Sequence, residues 1–250
     1  MKQRISALML AVTPTFKYVM SLLLAGTGLE YFLFHRAMKA AIEEMTIVSE
    51  YGTQIPAFEK VLESAKLEYM LCAVFSLFCA LFLFTGCEQK GGKLRYTMRR
   101  LSVPEREIHL LWAVYYTLCF VLLIAWQAAV LFWFHSMYAA SPMGEGLGAN
   151  SFFLTTYRSD LLHSLLPLHD IMRQIRNAAL VPALGLGCSF FSFHLSRGRR
   201  SYAPLLLIGV TLFTFIHPMA NATMDALWLI YIVWLSVITQ NKVWRDDHAE

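Results

Sequence analysis

The apolar residues of this chain are gathered into long runs separated by short charged or polar segments: roughly 14–36, 67–87, 108–138, 178–196, 203–219 and 225–241. A helix needs about 20 mostly apolar residues to cross the hydrocarbon core of a bilayer, so each run predicts a spanning helix. The third is about half again as long as needed and has to tilt or project. The fifth and sixth are separated only by 220–224, a tight hairpin. The expected fold is therefore all-α: one polytopic domain over residues 1–250 with six transmembrane helices. Ahead of the first run, Ile5, Leu8, Met9 and Val12 recur at helical spacing behind Lys2 and Arg4. That pattern predicts a short helix lying on the membrane surface, although it also suits the first turns of the first span.

Composition agrees. The chain is 57% hydrophobic and 15% charged, against about 25% charged residues in soluble domains. Its net charge of +4 is no sign of nucleic-acid binding, because the cations sit in short segments flanking the spans. With both termini cytoplasmic, the inner segments (1–13, 88–107, 197–202, 242–250) hold 13 of the 21 Lys and Arg, and the outer ones (37–66, 139–177, 220–224) hold six. This positive-inside bias sets the expected orientation in the cytoplasmic membrane. All five cysteines lie in apolar runs, so no external disulfide framework is expected. No cleavable signal peptide is expected either, since the run after Arg4 continues into a full span without a small-residue cleavage site.

The longest charged segment caught between two apolar runs is 88–111, EQKGGKLRYTMRRLSVPEREIHLL. Six cations (Lys90, Lys93, Arg95, Arg99, Arg100, Arg106) stand against Glu88, Glu105 and Glu107. Gly91 and Gly92 loosen its start. Ser102 and Glu105 have the spacing of a capping box, with Pro104 in the first turn, where a missing N–H costs nothing. The grammar is a short basic helix, a break at Leu101–Ser102, and a second helix running into the membrane. Such a structured basic loop predicts a docking surface, beyond its part in orienting the chain and touching anionic lipid.

The outer segments are longer. Residues 38–66 are acid-rich (Glu43, Glu44, Glu50, Glu59, Glu63) and predict helix on either side of Gly52 and Pro56. Residues 139–177 open with a Gly-rich loop and continue as apolar sequence too interrupted by charge and Pro167 to span. They predict helices at the outer interface.

Six spans, an N-terminal surface helix and a basic helical loop between the second and third spans resemble the permease subunits of type-2 ABC exporters. The phrase Leu101-Ser102-Val103-Pro104-Glu105-Arg106-Glu107 is similar to the one that closes that loop in the family. The resemblance implies that the loop contains a coupling helix, with Arg95, Arg99, Arg100, Leu101, Pro104, Glu105, Arg106 and Glu107 engaging an ATP-binding subunit. It also implies two permease copies, or one and a homologue, with two ATPases. The chain has no G-x-x-x-x-G-K-[ST] phosphate loop. It is therefore expected to bind no cofactor itself, ATP and magnesium being held by the partner. Family members often carry their long external element between the fifth and sixth spans; here it follows the third.

Other polar positions offer alternatives. His109 and His135 lie at opposite ends of the third span, roughly 39 Å apart at 1.5 Å per residue, and cannot share a haem or metal. His163, His169 and Asp170 cluster in the outer segment in no usual ligand spacing. They are where a metal- or histidine-dependent membrane enzyme would work, the competing reading. His194 beside Arg197, Arg199 and Arg200 reads as interfacial. Phe213-x-x-x-His217-x-x-x-Asn221 resembles a fragment of the glutamate-type membrane endopeptidases. Their paired-glutamate motif needs a following arginine, and Glu43-Glu44 is followed by Val48 and Ser49. Glu30, inside the first span, either faces a substrate path or makes a buried hydrogen bond. Gly26 and Gly28 beside it permit close helix approach. Asp225 opens the sixth span as an N-terminal helix charge. The tryptophans suit interface belts or packing. Asn221-Ala-Thr fits a glycosylation acceptor, but it lies in a tight hairpin.

Overall fold

A computed structural model describes residues 2–48, 57–85, 103–144, 151–165, 167, 170–196, 202–216 and 222–247. Among them the regular structure is entirely helical: α1 (Lys2–Val48), α2 (Phe58–Ser64), α3 (Leu67–Thr85), α4 (Glu105–Ala139), a 3-10 turn (Pro142–Gly144), α5 (Ser151–Arg158), α6 (Asp160–Leu165), α7 (Ile171–Ser196), α8 (Ala203–Ile216) and α9 (Ala222–Asp247). Five of these helices (α1, α3, α4, α7, α9) are long and apolar enough to cross a membrane. The 14 residues of α8 extend about 21 Å, less than the hydrocarbon thickness of about 30 Å.

The first four long helices alternate in direction, and α9 runs parallel to α7. The starts of α1 and α4 share one end of the bundle, called proximal below, with the last turns of α3 and α7. The starts of α7 and α9 share the distal end with α2, α5 and α6. The most extensive contact joins α4 to α7; α1 packs on α3 and α4, and α9 lies against α7. Large apolar side chains such as Leu24, Phe32, Leu77, Leu118, Phe132 and Ile230 point outwards. In a soluble protein that surface would be a liability; here it is the face offered to lipid.

Two apolar clusters fill the inside. The larger runs from the proximal end past mid-bundle around Phe78, Phe82, Trp112, Tyr116 and Phe120, with Phe82 and Tyr116 stacked at 4.5 Å. The distal one gathers Phe34, Phe58, Phe134, Tyr138 and Leu162. Phe34 and Phe134 stack there at 4.6 Å. Two glycines set the spacing between helices. A Cβ at Gly26 would come within 2.9 Å of Val74 on α3, whereas one at Gly28 would meet nothing within 4 Å. Only the first of the pair expected to serve close approach does so. A Cβ at Gly185 would run into Thr117 and lie 2.7 Å from the Ala113 carbonyl, so α7 rides directly on the backbone of α4.

The separate N-terminal surface helix is not present. Residues 2–13 are the opening turns of α1, which continues through Pro14 to Val48. The reason lies in a face the apolar spacing did not pick out. Ala7, Ala11, Thr15, Val19 and Leu23, at strict i+4 intervals, are all buried, while Ile5 and Met9 stay about half exposed. The two alanines leave α4 room to approach. Trp112 fills that space and donates its indole N–H to the Ala7 carbonyl at 3.0 Å. One hydrogen bond of this kind is worth about 1 kcal/mol net. Trp112→Phe should lower stability by about that amount, read as a shifted midpoint of thermal unfolding in detergent; an unchanged midpoint would remove this contact from the account.

Other boundaries moved less. Helix is found on both sides of the predicted break in 38–66, in α1 and α2. The third predicted span, 108–138, is α4 almost end to end. The fourth starts seven residues early, since 171–177 are the first turns of α7. Their arginines turn into the bundle, as described below. Of the segment 139–177, where the sequence predicts helices, α5 and α6 are the short helices described.

Candidate functional site

The candidate coupling residues divide. Arg95, Arg99, Arg100 and Leu101 lie outside the described residues. Pro104, Glu105, Arg106 and Glu107 form the start of α4, with Pro104 exposed and the other three half-buried. The break predicted at Leu101–Ser102 lies outside the described residues as well. The predicted N-cap at Ser102 is displaced: Pro104 itself holds the N-cap position with no side-chain cap, and its carbonyl accepts from the Ile108 N–H. Glu107 turns aside to meet Arg4 of α1 at 3.1 Å.

That ion pair begins a series of contacts that ties α1 to α4 along most of their length. After Arg4–Glu107 come the Trp112 bond to Ala7 and Thr15 with the Tyr115 hydroxyl at 3.0 Å. Further on, Trp126 donates to Thr27 at 2.8 Å, and Gln127 donates to Glu30 at 3.1 Å. The Phe34–Phe134 stack follows. The partner on α4 advances in step with its mate on α1, so two parallel helices are pinned as one rod. At the proximal end α7 joins them: Ser189 donates to the His109 carbonyl at 2.6 Å. His109 and Trp112 are buried there, as is His194, which the sequence had placed at an interface.

Glu30 is buried, and of its two oxygens Oε1 accepts from Gln127 while Oε2 has no partner. It does not itself reach open space. Gln127 does, forming part of the wall of a cavity of about 230 Å³ lined by α3, α4, α7 and α8, with Leu165 of α6, in the distal half of the bundle. Nothing in the sequence pattern singles out Gln127; a lone amide within AWQAAV was the signal available.

A second polar group closes the distal end. Asp225, buried in the first turn of α9, pairs with Arg176 and lies 3.6 Å from Arg173, both buried on α7. Arg176 also donates to the Asn177 side chain at 2.9 Å. Arg173 reaches Asp170 at 3.6 Å, and Asp170 lies 3.4 Å from His163. Asp225 is thus more than a charge at a helix start: it is the carboxylate that lets two arginines lie inside a helix bundle. The spacing of Arg173 and Arg176, three apart on one helical face, was legible; their shared partner 49 residues on from Arg176 was not.

Chemically, the described residues offer a rod, an apolar cavity with an amide in its wall, and a charge cluster with its members paired to one another. No three His, Cys, Asp or Glu among the described residues come together as a metal site would require; His169 and His217 lie outside them. Comparison with family models, with curated proteins and with solved structures found no match to this chain.

Proposed function

We propose that the chain is the permease subunit of an ABC exporter in the cytoplasmic membrane. In this reading α8 is a short sixth span and both termini are cytoplasmic. A separate ATP-binding subunit supplies hydrolysis, holding ATP and magnesium, and a second permease copy or a homologue completes the pathway.

The observation that carries this reading is the α1–α4 rod. Its proximal end directly continues the basic segment 93–107, where a coupling helix would receive the ATPase. Displacing that segment has to move Glu107, and with it Arg4 and the whole ladder up to Phe34 and Phe134. A small push at the inner face becomes a shift of two helices beside the cavity wall at Gln127. Glu30 belongs to the same lever and holds that amide in place.

The test is a pull-down in mild detergent. Wild-type chain should bring down an ATP-binding subunit, and a variant with Arg99, Arg100 and Arg106 changed to glutamate should stay folded but lose it. If no ATPase co-purifies with the wild type and the triple variant behaves normally, the exporter reading fails. The competing reading, an enzyme at the distal face using the His163–Asp170 contact, makes the opposite demand. There the charge reversal is silent and His163→Ala removes function.

A further inference from the structure

We propose that the distal-half cavity is a binding site for the acyl chain of a single-chain membrane lipid, with the ester end of the chain at Asn177. The site is a question of binding alone and stands whether or not the chain exports what it holds.

The walls give the chemistry. Phe75, Phe120, Leu184 and Phe215 come from four different helices and present hydrocarbon from every side. The hydroxyl of Thr211 is already committed to the Leu207 carbonyl. An apolar cavity of about 150 Å³ stays dry and accepts benzene; 230 Å³ therefore has room for more than one ring, or for a length of chain. The shape favours the chain. On α7 the lining runs from Asn177 to Leu184, a rise of about 10 Å along the helix. It leads from the distal rim towards the middle of the bundle, as an acyl chain runs in a leaflet.

The polar groups are placed as a lipid would need them. Asn177 sits at the rim beside Arg176, and Gln127 stands in the wall, its amide nitrogen engaged by Glu30. Deeper in, the wall is apolar apart from Thr211, whose hydroxyl is engaged within its own helix. Access is from the side: Cys72 and Phe75 on α3 and Leu212 and Phe215 on α8 are only half-buried, and Ala178 is exposed. The mouth therefore opens at membrane depth, where lipid is the solvent. A carbonyl near Asn177 and a chain reaching Leu184 satisfy both ends of the site.

The test uses the full chain in detergent with a lysophosphatidylcholine whose stearoyl chain carries a diazirine, photolysed and mapped by peptide mass spectrometry. Lipid merely coating the outside labels exposed positions such as Leu77. Phe120 and Leu184 are 2% and 3% exposed and are reached only from within the cavity. The expected result is label at Phe120 or Leu184, lost on adding unlabelled lysophosphatidylcholine. At about ten times its dissociation constant the competitor should cut that label about tenfold, since only the unoccupied fraction reacts. Ala178→Phe, a plug at the exposed mouth, should do the same without changing label at Leu77. Label confined to outward positions, or interior label that neither competitor nor plug reduces, overturns the proposal. The competition arm uses wild-type chain and decides the matter even where the plug variant misfolds. Competition by stearic acid as strong as that by the lysolipid would assign the site to free fatty acid and overturn the lipid ester.

Discussion

Asp225→Leu should unfold this protein more readily than any other single substitution near the distal end. The carboxylate is paired with Arg176 and lies against Arg173, all three being nearly inaccessible. Removing one partner of a buried ion pair leaves the other charge without compensation, at a cost of about 3–5 kcal/mol. Here one deletion takes the shared buried carboxylate from two guanidiniums, leaving beside Arg173 the half-exposed Asp170 and beside Arg176 the neutral Asn177 amide. The loss should appear as a large fall in the denaturant midpoint in mild detergent. A triple variant, Arg173→Leu, Arg176→Leu and Asp225→Leu, should recover most of it, because apolar replacement of a whole buried cluster is often neutral or better. A midpoint unmoved by Asp225→Leu would mean that the cluster is wet and only loosely held.

Gly185→Val comes next. The α4–α7 contact is the most extensive in the bundle, and Gly185 is where the two backbones meet. The first carbon of any side chain there collides with Thr117 and presses on the Ala113 carbonyl. None of this is the far end of a flexible chain that can swing aside, since Ala113 contributes backbone and Thr117 is bonded to that same carbonyl. Overpacking of this sort costs about 1–3 kcal/mol, and more where nothing yields. The helices would have to separate, which also loosens Ser189 from His109 one turn further on. Lower thermal stability should therefore be joined by faster hydrogen exchange in the proximal halves of both helices. Gly28→Val, on a surface with nothing within 4 Å, is the control and should leave both readouts unchanged. A comparable loss in the control would assign the effect to the β-branched side chain and not to the contact.

How much of this was legible beforehand depends on the kind of residue. Runs of apolar sequence announce helices of membrane length, and α3 and α4 begin within a few residues of where the pattern puts them. Pro104 likewise marks the start of α4. The pattern failed where small residues form the interface. Ala7 and Ala11 look like weak positions beside Ile5 and Met9, yet the alanines are buried and the larger residues look outwards. In a membrane a large side chain has no reason to prefer the inside, so size and hydrophobicity stop marking the core and close packing selects small residues instead. Asp225 failed for another reason: its local reading as a helix-start charge was sound, but its partners lie on a different helix and no periodicity points to them. Gln127 and Gly185 each matter through one contact, and a single contact leaves no pattern in a sequence.

The placement of Asp225 also dictates an order of events during synthesis. Arg176 reaches the membrane 49 residues before its carboxylate does. At about 5–20 residues per second, α7 must wait several seconds with that charge unanswered. Until α9 follows, Arg176 can turn only to water, lipid headgroups or the Asn177 amide, which keeps the distal end of α7 near the membrane surface. The last helix is therefore a latch: its arrival draws the arginines inward and fixes the depth of a helix laid down before it. A chain cut short ahead of Ala222 would lack the element that seats α7, however complete its earlier helices.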